Sequence, residues 1–276
     1  MVASALFFAG MGVGVKAASR TLPSAMVVFF RNAVSLVALL PLLPRLGRGG
    51  LATSHIGEHL VRSLAGLAAM YCFFYAIAHL RLADAVLLNY SLPLFMPLIA
   101  QAWLGETMPP GLWRGLGLGF LGVALILKPG LGLFNPAALA GLAAAVLAAL
   151  AQVGVRRLTD TEPVTRIVFY FAGISTLVSA VPLAGSWRTP EPGVWGTLLA
   201  MGLSATLAQL FLTRAYAHAP AAQVGPFIYA CVPFATLLDG VLFGVWPDSL
   251  SVAGGILVTV AGILTLRQMA SADVGA

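Results

Sequence analysis

Long apolar stretches alternate with short polar or Pro/Gly clusters along the whole chain. Because a helix that crosses a bilayer needs about 20 mostly apolar residues, these stretches predict spanning helices. Strands of a membrane barrel would instead alternate in hydrophobicity over roughly ten residues. We predict ten spans, over 2–18, 24–43, 60–79, 83–104, 111–127, 136–156, 163–184, 194–217, 221–244 and 249–267.

Composition assigns the chain to the lipid bilayer. Hydrophobic residues make up 60% of 276 residues and charged residues 9%, whereas a soluble domain has roughly 25% charged residues. The net charge of +6 comes from basic residues that are scattered near helix ends without forming a long run, which indicates anchoring at the lipid interface and no nucleic acid partner. Residues 1–18 lack a basic leader, so we interpret them as a retained first helix.

Lysine and arginine positions predict the orientation. With the N-terminus inside, the inner ends hold nine basic residues: Arg45, Arg48, Arg62, Arg114, Arg156, Arg157, Arg166, Arg214 and Arg267. The outer ends hold five: Lys16, Arg20, Arg81, Lys128 and Arg188. The positive-inside rule therefore favours a multi-pass membrane protein with both termini in the cytoplasm.

One sequence pattern occurs twice at an offset of 140 residues. The stretch GVKAASRTLP (14–23) corresponds to GVRRLTDTEP (154–163), and the same offset pairs Phe29 with Phe169, Ser35 with Ser175, Pro93 with Pro233 and Gly122 with Gly262. Each half holds five predicted spans, an odd number, so the second half enters the membrane from the opposite side. The predicted fold is an all-α integral membrane protein of two inverted five-helix repeats, 1–130 and 136–268, an architecture of secondary transporters.

The segment around the fourth predicted helix carries a family resemblance. LRLADAVLLNYSLPLFMPLIAQAWLGET (80–107), the Gly-rich GLWRGLGLGFLGVALILKPG (111–130) and their second copy within 221–266 resemble EamA-type members of the drug/metabolite transporter superfamily. Among these, the aromatic-rich helices resemble the bacterial exporters of aromatic amino acids. The second copy departs from the pattern, since Val245 or Trp246 stands where the first copy has Glu106.

The third predicted helix presents a candidate substrate face. Tyr71, Tyr75 and His79 recur every four residues and share one side of a helix. Flat rings with polar tips suit an aromatic substrate. The alternative is an aromatic belt at the lipid interface, above all for His79.

Other polar side chains lie within apolar spans, where facing lipid is costly. They predict substrate contacts or, alternatively, hydrogen bonds between helices; these residues are Asn89, Tyr90, Gln152, Gln209, Tyr216 and Tyr229. Internal prolines predict hinges or static kinks; they are Pro93, Pro97, Pro226 and Pro233. Two full charges, Arg31 and Asp239, have matching predicted depths, and we expect them to pair.

These features favour a secondary transporter that exports small amphipathic metabolites by alternating access, with aromatic amino acids as the favoured small-molecule substrate. A broad-specificity drug exporter or a sugar-type carrier is the alternative within transport. An intramembrane enzyme is the alternative outside it, although the chain has no HExxH, GxSxG or P-loop motif. No cofactor or metal is predicted. The small-residue stripe Gly115, Gly119 and Gly122 predicts close helix packing, within the chain or in a homodimer.

Overall fold

The described residues of the first half include five helices, which we label α1 to α5. The computed structural model describes residues 1–79, 88–106, 111–127, 136–244, 246 and 248–274. The helices are α1 (Val2–Ala18), α2 (Ser24–Leu39), α3 (Ile56–His79), α4 (Leu92–Leu104) and α5 (Leu112–Leu127), with a 3₁₀ segment at Leu40–Gly49 after α2.

The second half repeats this order. Its helices are α6 (Pro136–Leu158), α7 (Val164–Ala180), α8 (Trp195–Tyr216), α9 (Cys231–Phe243) and α10 (Ser249–Val274). A helical turn at Ala221–Val224 and a 3₁₀ segment at Gly225–Ala230 precede α9. The described residues include no strand, so the predicted all-α fold is confirmed.

The duplicated sequence at the end of the first helix of each half adopts the same backbone twice. Pro23 and Pro163 cap α2 and α7 in the same extended conformation, with φ/ψ of −60°/147° and −66°/144°. Proline is favoured at a helix start because a backbone N–H there would have no acceptor within the helix, so its absence costs nothing. In the preceding turns, Leu22 and Glu162 donate backbone hydrogen bonds to Ala18 and Leu158, at 3.0 and 2.8 Å.

The contacts that each helix makes are repeated by the equivalent helix of the other half. The first helix of each half packs against two helices of the opposite half: α1 against α8 and α9, and α6 against α3 and α4. The equivalent helices α2 and α7 pack against each other, as do α5 and α10. This is the pattern expected when two copies of one unit are related by an approximate two-fold axis.

Large apolar side chains cover much of the outer surface. Leu177 and Val181 are each 74% exposed. Such exposure of apolar side chains would be unfavourable in water but is favourable against lipid. Five helical stretches among the described residues are at least 18 residues long and apolar enough to cross a membrane: Ser24–Pro44, Pro136–Leu158, Val164–Gly185, Pro192–Tyr216 and Gly225–Leu242. Shorter apolar helices lie at Val2–Ala18, Leu92–Leu104, Leu112–Leu125 and Val252–Ala261.

The glycine stripe of α5 packs within the chain. A Cβ atom added at Gly122 would lie 2.7 Å from the carbonyl oxygen of Gly254 and 2.9 Å from Cγ2 of Val258, both on α10. Glycine therefore lets the backbones of α5 and α10 approach closely. Gly117, on the same helix, would place its Cβ with no atom within 4 Å.

We predict that Gly122→Ala destabilises the protein by about 1–3 kcal/mol. The added methyl group would clash with the carbonyl oxygen of Gly254, which is fixed in the backbone of α10, and would push the two helices apart. Gly117→Ala is the matched control and should be neutral or stabilising by up to about 1 kcal/mol, since alanine favours helix. Unfolding in detergent would measure both. Equal stability of the two variants would contradict the close α5–α10 contact.

Candidate functional site

Two arginines are buried inside the helix bundle. Arg31 of α2 is 5% exposed and Arg62 of α3 is 3% exposed. A full charge in the interior of a membrane protein is costly and marks a functional position by default. The two charges therefore define the centre of the candidate site.

Phe171 of α7 brings the two arginines together. The guanidinium carbon of Arg62 lies 3.6 Å from the centre of the Phe171 ring, and that of Arg31 lies 5.4 Å from the same centre. Arginine over an aromatic face is attracted by the ring quadrupole. The offset of 140 residues relates position 31 to position 171, so Arg31 and Phe171 occupy equivalent places in the paired helices α2 and α7.

The arginines, Phe171 and Gln209 share one depth in the bundle. Arg62 lies six residues after the start of α3, and Phe171 seven residues after the start of α7. Gln209 lies seven residues before the end of α8, and Arg31 eight residues before the end of α2. At about 1.5 Å per residue, all four lie roughly 9–12 Å along the helix axes from the same end of the bundle.

Neutral side chains satisfy part of each guanidinium. Arg62 donates to Oε1 of Gln209 at 2.7 Å, a bond between the first half and the second. Arg31 donates to Oδ1 of Asn32 at 2.7 Å, and Asn32 donates to the carbonyl of Val28 at 2.9 Å. The Nε atoms of both arginines have no hydrogen-bond partner in the described part of the chain.

A buried histidine lies between this site and the nearer end of the bundle. His59, one turn before Ser63 on α3, stacks on Tyr170 with ring centres 4.3 Å apart. Both of its ring nitrogens are buried without a partner among the described atoms, as are the hydroxyls of Ser63 and Ser175. The polar layer thus contains several side chains with unused hydrogen-bonding capacity.

Charged residues close the end of the bundle nearest the arginines, which we call the ion-paired end. Arg157 donates to Glu58 at 2.9 Å, and Arg166 to Glu162 at 2.6 Å. Glu106 accepts a hydrogen bond from the backbone N–H of Ala221 at 2.9 Å and lies 3.3 Å from Arg156. Several of these contacts join the first half to the second, so they hold the halves together at this end.

A cleft of about 330 Å³ opens at the ion-paired end. Its lining combines carboxylates and guanidinium groups with one indole ring; the lining residues are His55, Glu58, Trp103, Leu104, Glu106, Arg156, Arg157, Asp160 and Thr161. The opposite end has a different character, because an apolar cluster that includes Leu22, Met26 and Phe30 packs between α1, α2 and α8. The two ends of the bundle are therefore closed by different chemistry.

Gln209 and Gln152, two of the predicted substrate contacts, differ in their surroundings. Gln209 bonds to Arg62 and belongs to the arginine site. Gln152 accepts a hydrogen bond from the hydroxyl of Tyr216, which is fully buried and lies 3.7 Å from the sulfur of Met96. The Gln152–Tyr216 pair joins α6 to α8 within the second half.

The aromatic face of α3 is divided between interior and surface. Tyr75 is 48% exposed, and His79 lies beside it with ring centres 4.2 Å apart. These residues share their helix face with the exposed Leu60, Val61 and Leu64, which favours the lipid-interface interpretation. The hydroxyl of Tyr71 is buried without a described partner.

The remaining predicted tyrosines and Asn89 lie near α9. Tyr90 packs against a cluster that contains Cys231, and Tyr229 is 2% exposed and packs against Gly119. The hydroxyl of Tyr229 has no partner among the described atoms. Asn89 is half-buried at the turn before α4. The structure does not bring these residues into contact with the arginine pair.

Three of the four predicted prolines lie in the first turn of a helical segment, and the fourth lies inside a helix. Pro93 and Pro233 stand in the first turns of α4 and α9, whereas the sequence pattern predicted them inside continuous helices. Pro97 lies inside α4, and Pro226 is the second residue of the 3₁₀ segment. Both copies are interrupted at equivalent places, near residues 90–91 and 225–230. The hinge role remains a prediction.

The predicted Arg31–Asp239 pair is not tested by the structure, because the side chain of Asp239 lies outside the described part of the chain. The described neighbours of Arg31 are Asn32 and Phe171. Residues 83–87 of the fourth predicted span also lie outside the described residues.

Sequence reasoning missed Arg62 and Phe171. The predicted span started at residue 60, so Arg62 looked like a helix-end charge, whereas α3 starts at Ile56 and places it inside the bundle. Phe171 was not among the predicted site residues. The repeat held the missing signal, because the offset that pairs Ser35 with Ser175 also pairs Arg31 with Phe171.

The described residues contain no cluster of three or more His, Cys, Asp or Glu side chains that could hold a metal ion. Two inverted five-helix halves that enclose polar and charged side chains are the architecture of a secondary transporter. The sequence profile of the EamA-like transporter family matches residues 1–128 and 135–267. The chain therefore belongs to the EamA-like transporter family.

Relatives with known names match over most of their length. The pseudopaline exporter CntI of Pseudomonas aeruginosa is 38% identical over 269 residues, which cover 96% of this chain and 94% of that protein. A riboflavin transporter of Brucella anthropi is 29% identical over 97% of each chain. An S-adenosylmethionine uptake transporter of Rickettsia conorii is 27% identical over 84% of this chain and 79% of that protein.

A solved crystal structure has the same fold. It superposes with a TM-score of 0.81 over 96% of both chains at 18% sequence identity. The helical arrangement described above is thus shared with an experimentally determined protein.

We predict a pH-dependent contribution from Glu162, which lies in the loop between α6 and α7. Burial by itself raises the pKa of Glu162, but hydrogen bonds from Thr53 and Arg166 outweigh it and hold the pKa below its ordinary value of 4.5. The ionised carboxylate therefore stabilises the folded protein above about pH 4.5, and this contribution is lost as the pH falls further. Glu162→Gln should cost about 1–3 kcal/mol at pH 7.

The deficit of Glu162→Gln should shrink as unfolding is measured at lower pH. Asp160→Asn is the control: Asp160 is 62% exposed and pairs with Arg156 at the surface, so its loss should cost at most about 1 kcal/mol. A deficit of Glu162→Gln that is constant between pH 7 and pH 4 would contradict the assignment.

Proposed function

We propose that the protein exports a small polar metabolite across the bacterial inner membrane by alternating access of its two inverted halves. The observation that carries this proposal is the Arg62–Gln209 hydrogen bond of 2.7 Å, which joins α3 of the first half to α8 of the second inside the bundle. Inverted-repeat transporters place their substrate sites between the repeats. The polar layer around Arg31, Arg62 and Gln209 has that position.

The relatives support a small-molecule substrate and favour export. At 38% identity the chain is similar to a named exporter of pseudopaline; the S-adenosylmethionine transporter, at 27% identity, is named for uptake. Pseudopaline is therefore the first substrate to assay, with riboflavin and S-adenosylmethionine beside it.

Aromatic amino acids are the weaker substrate assignment. The named relatives above carry other molecules, and Tyr75 and His79 lie on an exposed helix face. A rigid aromatic cage for a substrate ring would need these side chains in the interior. Phenylalanine and tryptophan remain useful members of a transport panel.

We propose that the ion-paired end faces the cytoplasm and opens during each cycle. The positive-inside distribution supports this orientation, with both termini in the cytoplasm. Opening would separate Glu106, which follows α4, from the N–H of Ala221 in the second half, now 2.9 Å away. Such contacts between polar groups at an exposed end can be replaced by water at small cost.

Transport by the purified protein in proteoliposomes is the first test. We expect saturable, ATP-independent movement of at least one of pseudopaline, riboflavin and S-adenosylmethionine, with no chemical change in the molecule recovered. The measurement is accumulation of each compound, against liposomes without protein. Conversion of the substrate, or no movement of any member of the panel, would contradict the proposed function.

A cross-link across the ion-paired end tests alternating access. Glu106→Cys with Ala221→Cys, in a protein that lacks Cys72 and Cys231, should lose most transport when a short bis-methanethiosulfonate joins the two thiols. Reduction should restore it, and each single-cysteine variant should be unaffected by the reagent. Full transport with the cross-link in place would show that this end does not open.

A further inference from the structure

We propose that Arg31 and Arg62 form the binding site for a small organic anion that carries carboxylate groups, with a dicarboxylate as the ligand class that neutralises both charges. This inference rests on the proposed transport function and names the substrate class of that site. It follows from the burial of two cations, the absence of a described counter-charge and the free donors on both guanidinium groups.

The two charges have no carboxylate beside them in the described part of the chain. The acidic side chains described there lie at helix ends or in loops: Glu58, Glu106, Asp160, Glu162, Glu191 and Asp248. Arg31 and Arg62 contact Asn32, Gln209 and Phe171 instead, all of them uncharged. Two buried cations that share one ring repel each other, and an anion between them removes that repulsion.

Each guanidinium group keeps a donor for a ligand. Arg31 uses Nη1 on Asn32 and Arg62 uses Nη2 on Gln209, while the Nε atoms of both remain unpartnered. A carboxylate can accept two parallel hydrogen bonds from one arginine. Leaving a buried N–H of a charged group unpaired costs free energy that such a ligand would recover.

Two positive charges favour a ligand that carries two carboxylates. The guanidinium carbon of Arg62 lies 3.6 Å from the centre of the Phe171 ring, and that of Arg31 lies 5.4 Å from it. These two distances limit the separation of the guanidinium carbons to about 9 Å, which one small ligand can span. A flexible dicarboxylate can place one group on each arginine.

A purely structural role explains Arg31 poorly. Its described hydrogen bond is to the adjacent residue Asn32, which also bonds to Val28 on the same helix. This contact links no second helix, and an apolar side chain would fill the same space without the cost of a buried charge. Stability sacrificed at one buried position is typical of a binding site.

Thermal unfolding of the purified protein in detergent tests the site without requiring transport. The probes are glutarate and citrate, with inorganic phosphate and chloride at equal ionic strength. We expect the two carboxylates to raise the midpoint by about 2–4 °C once they exceed their Kd several-fold. Phosphate should stabilise less, and chloride should have no effect beyond that of ionic strength.

Variants assign the effect to the two arginines. Arg31→Gln and Arg62→Gln should each abolish the carboxylate-dependent shift, while Arg31→Lys retains part of it because the charge is kept. Arg214→Gln is the control, since Arg214 is exposed on α8, and should respond like the unmodified protein. Without ligand, Arg31→Gln should unfold at a temperature no lower than that of the unmodified protein. Loss of an arginine with a structural role would instead lower the unfolding temperature.

The alternative pairing of Arg31 with Asp239 has its own outcome. Asp239→Asn should leave the carboxylate response intact if the ligand is the counter-charge. A response lost in Asp239→Asn but kept in Arg31→Gln would overturn the proposal, and so would a full response in both glutamine variants. Among the ligands, the proposal would be overturned by no stabilisation with glutarate or citrate, by equal stabilisation with chloride, or by stronger stabilisation with phosphate.

Failure of this inference and failure of the proposed function give different results. Transport of a panel compound that is unchanged in Arg31→Gln and Arg62→Gln leaves the transporter standing and removes the anion site. Carboxylate binding that needs both arginines, in a protein that moves no panel compound, leaves the anion site and removes the proposed function.

Discussion

The chemistry of the candidate site depends on two guanidinium charges that lie inside a bundle that lipid surrounds. Arg31 and Arg62 are almost completely buried, and the ring of Phe171 lies beside both. Little of either side chain is accessible, and a cation–π contact of roughly 2 kcal/mol does not replace full hydration. The described hydrogen bonds of both guanidinium groups go to uncharged side chains, which is why we propose a ligand anion as their counter-charge.

The inverted repeat supplies the frame, and departures from the repeat supply the site. The paired helices α2 and α7 bring equivalent positions together, and one copy holds Arg31 where the other holds Phe171. The position equivalent to Arg62 is Gly202, whose missing side chain gives room to Val34. Glu106, a bridge between the halves at the ion-paired end, corresponds to Trp246, which packs on Gly240. Symmetric positions thus build the bundle, while asymmetric ones carry charge.

The sequence was sufficient for the fold because hydrophobic length and repeat register are local signals. The paired stretches that end in Pro23 and Pro163 predicted two copies, and both adopt the same helix-starting backbone. The site was predicted only in part. Arg31 and Gln209 were recognisable as polar groups in apolar spans, whereas Arg62 depended on the start of α3 at Ile56 and Phe171 on a contact between distant helices. The sequence predicted kinks or hinges at Pro93 and Pro233 but not their places in the first turns of α4 and α9, because prolines at a helix start and in a helix interior look alike in sequence.

Determination of the structure with a transported substrate bound most directly tests the central claim that a ligand anion neutralises the two buried arginines. We predict density for oxygen atoms within hydrogen-bond distance of Nε of Arg31 and Nε of Arg62, between the two halves. Substrate bound elsewhere, with both Nε atoms still unpartnered, would contradict it. So would a carboxylate of the protein itself found paired with both guanidinium groups.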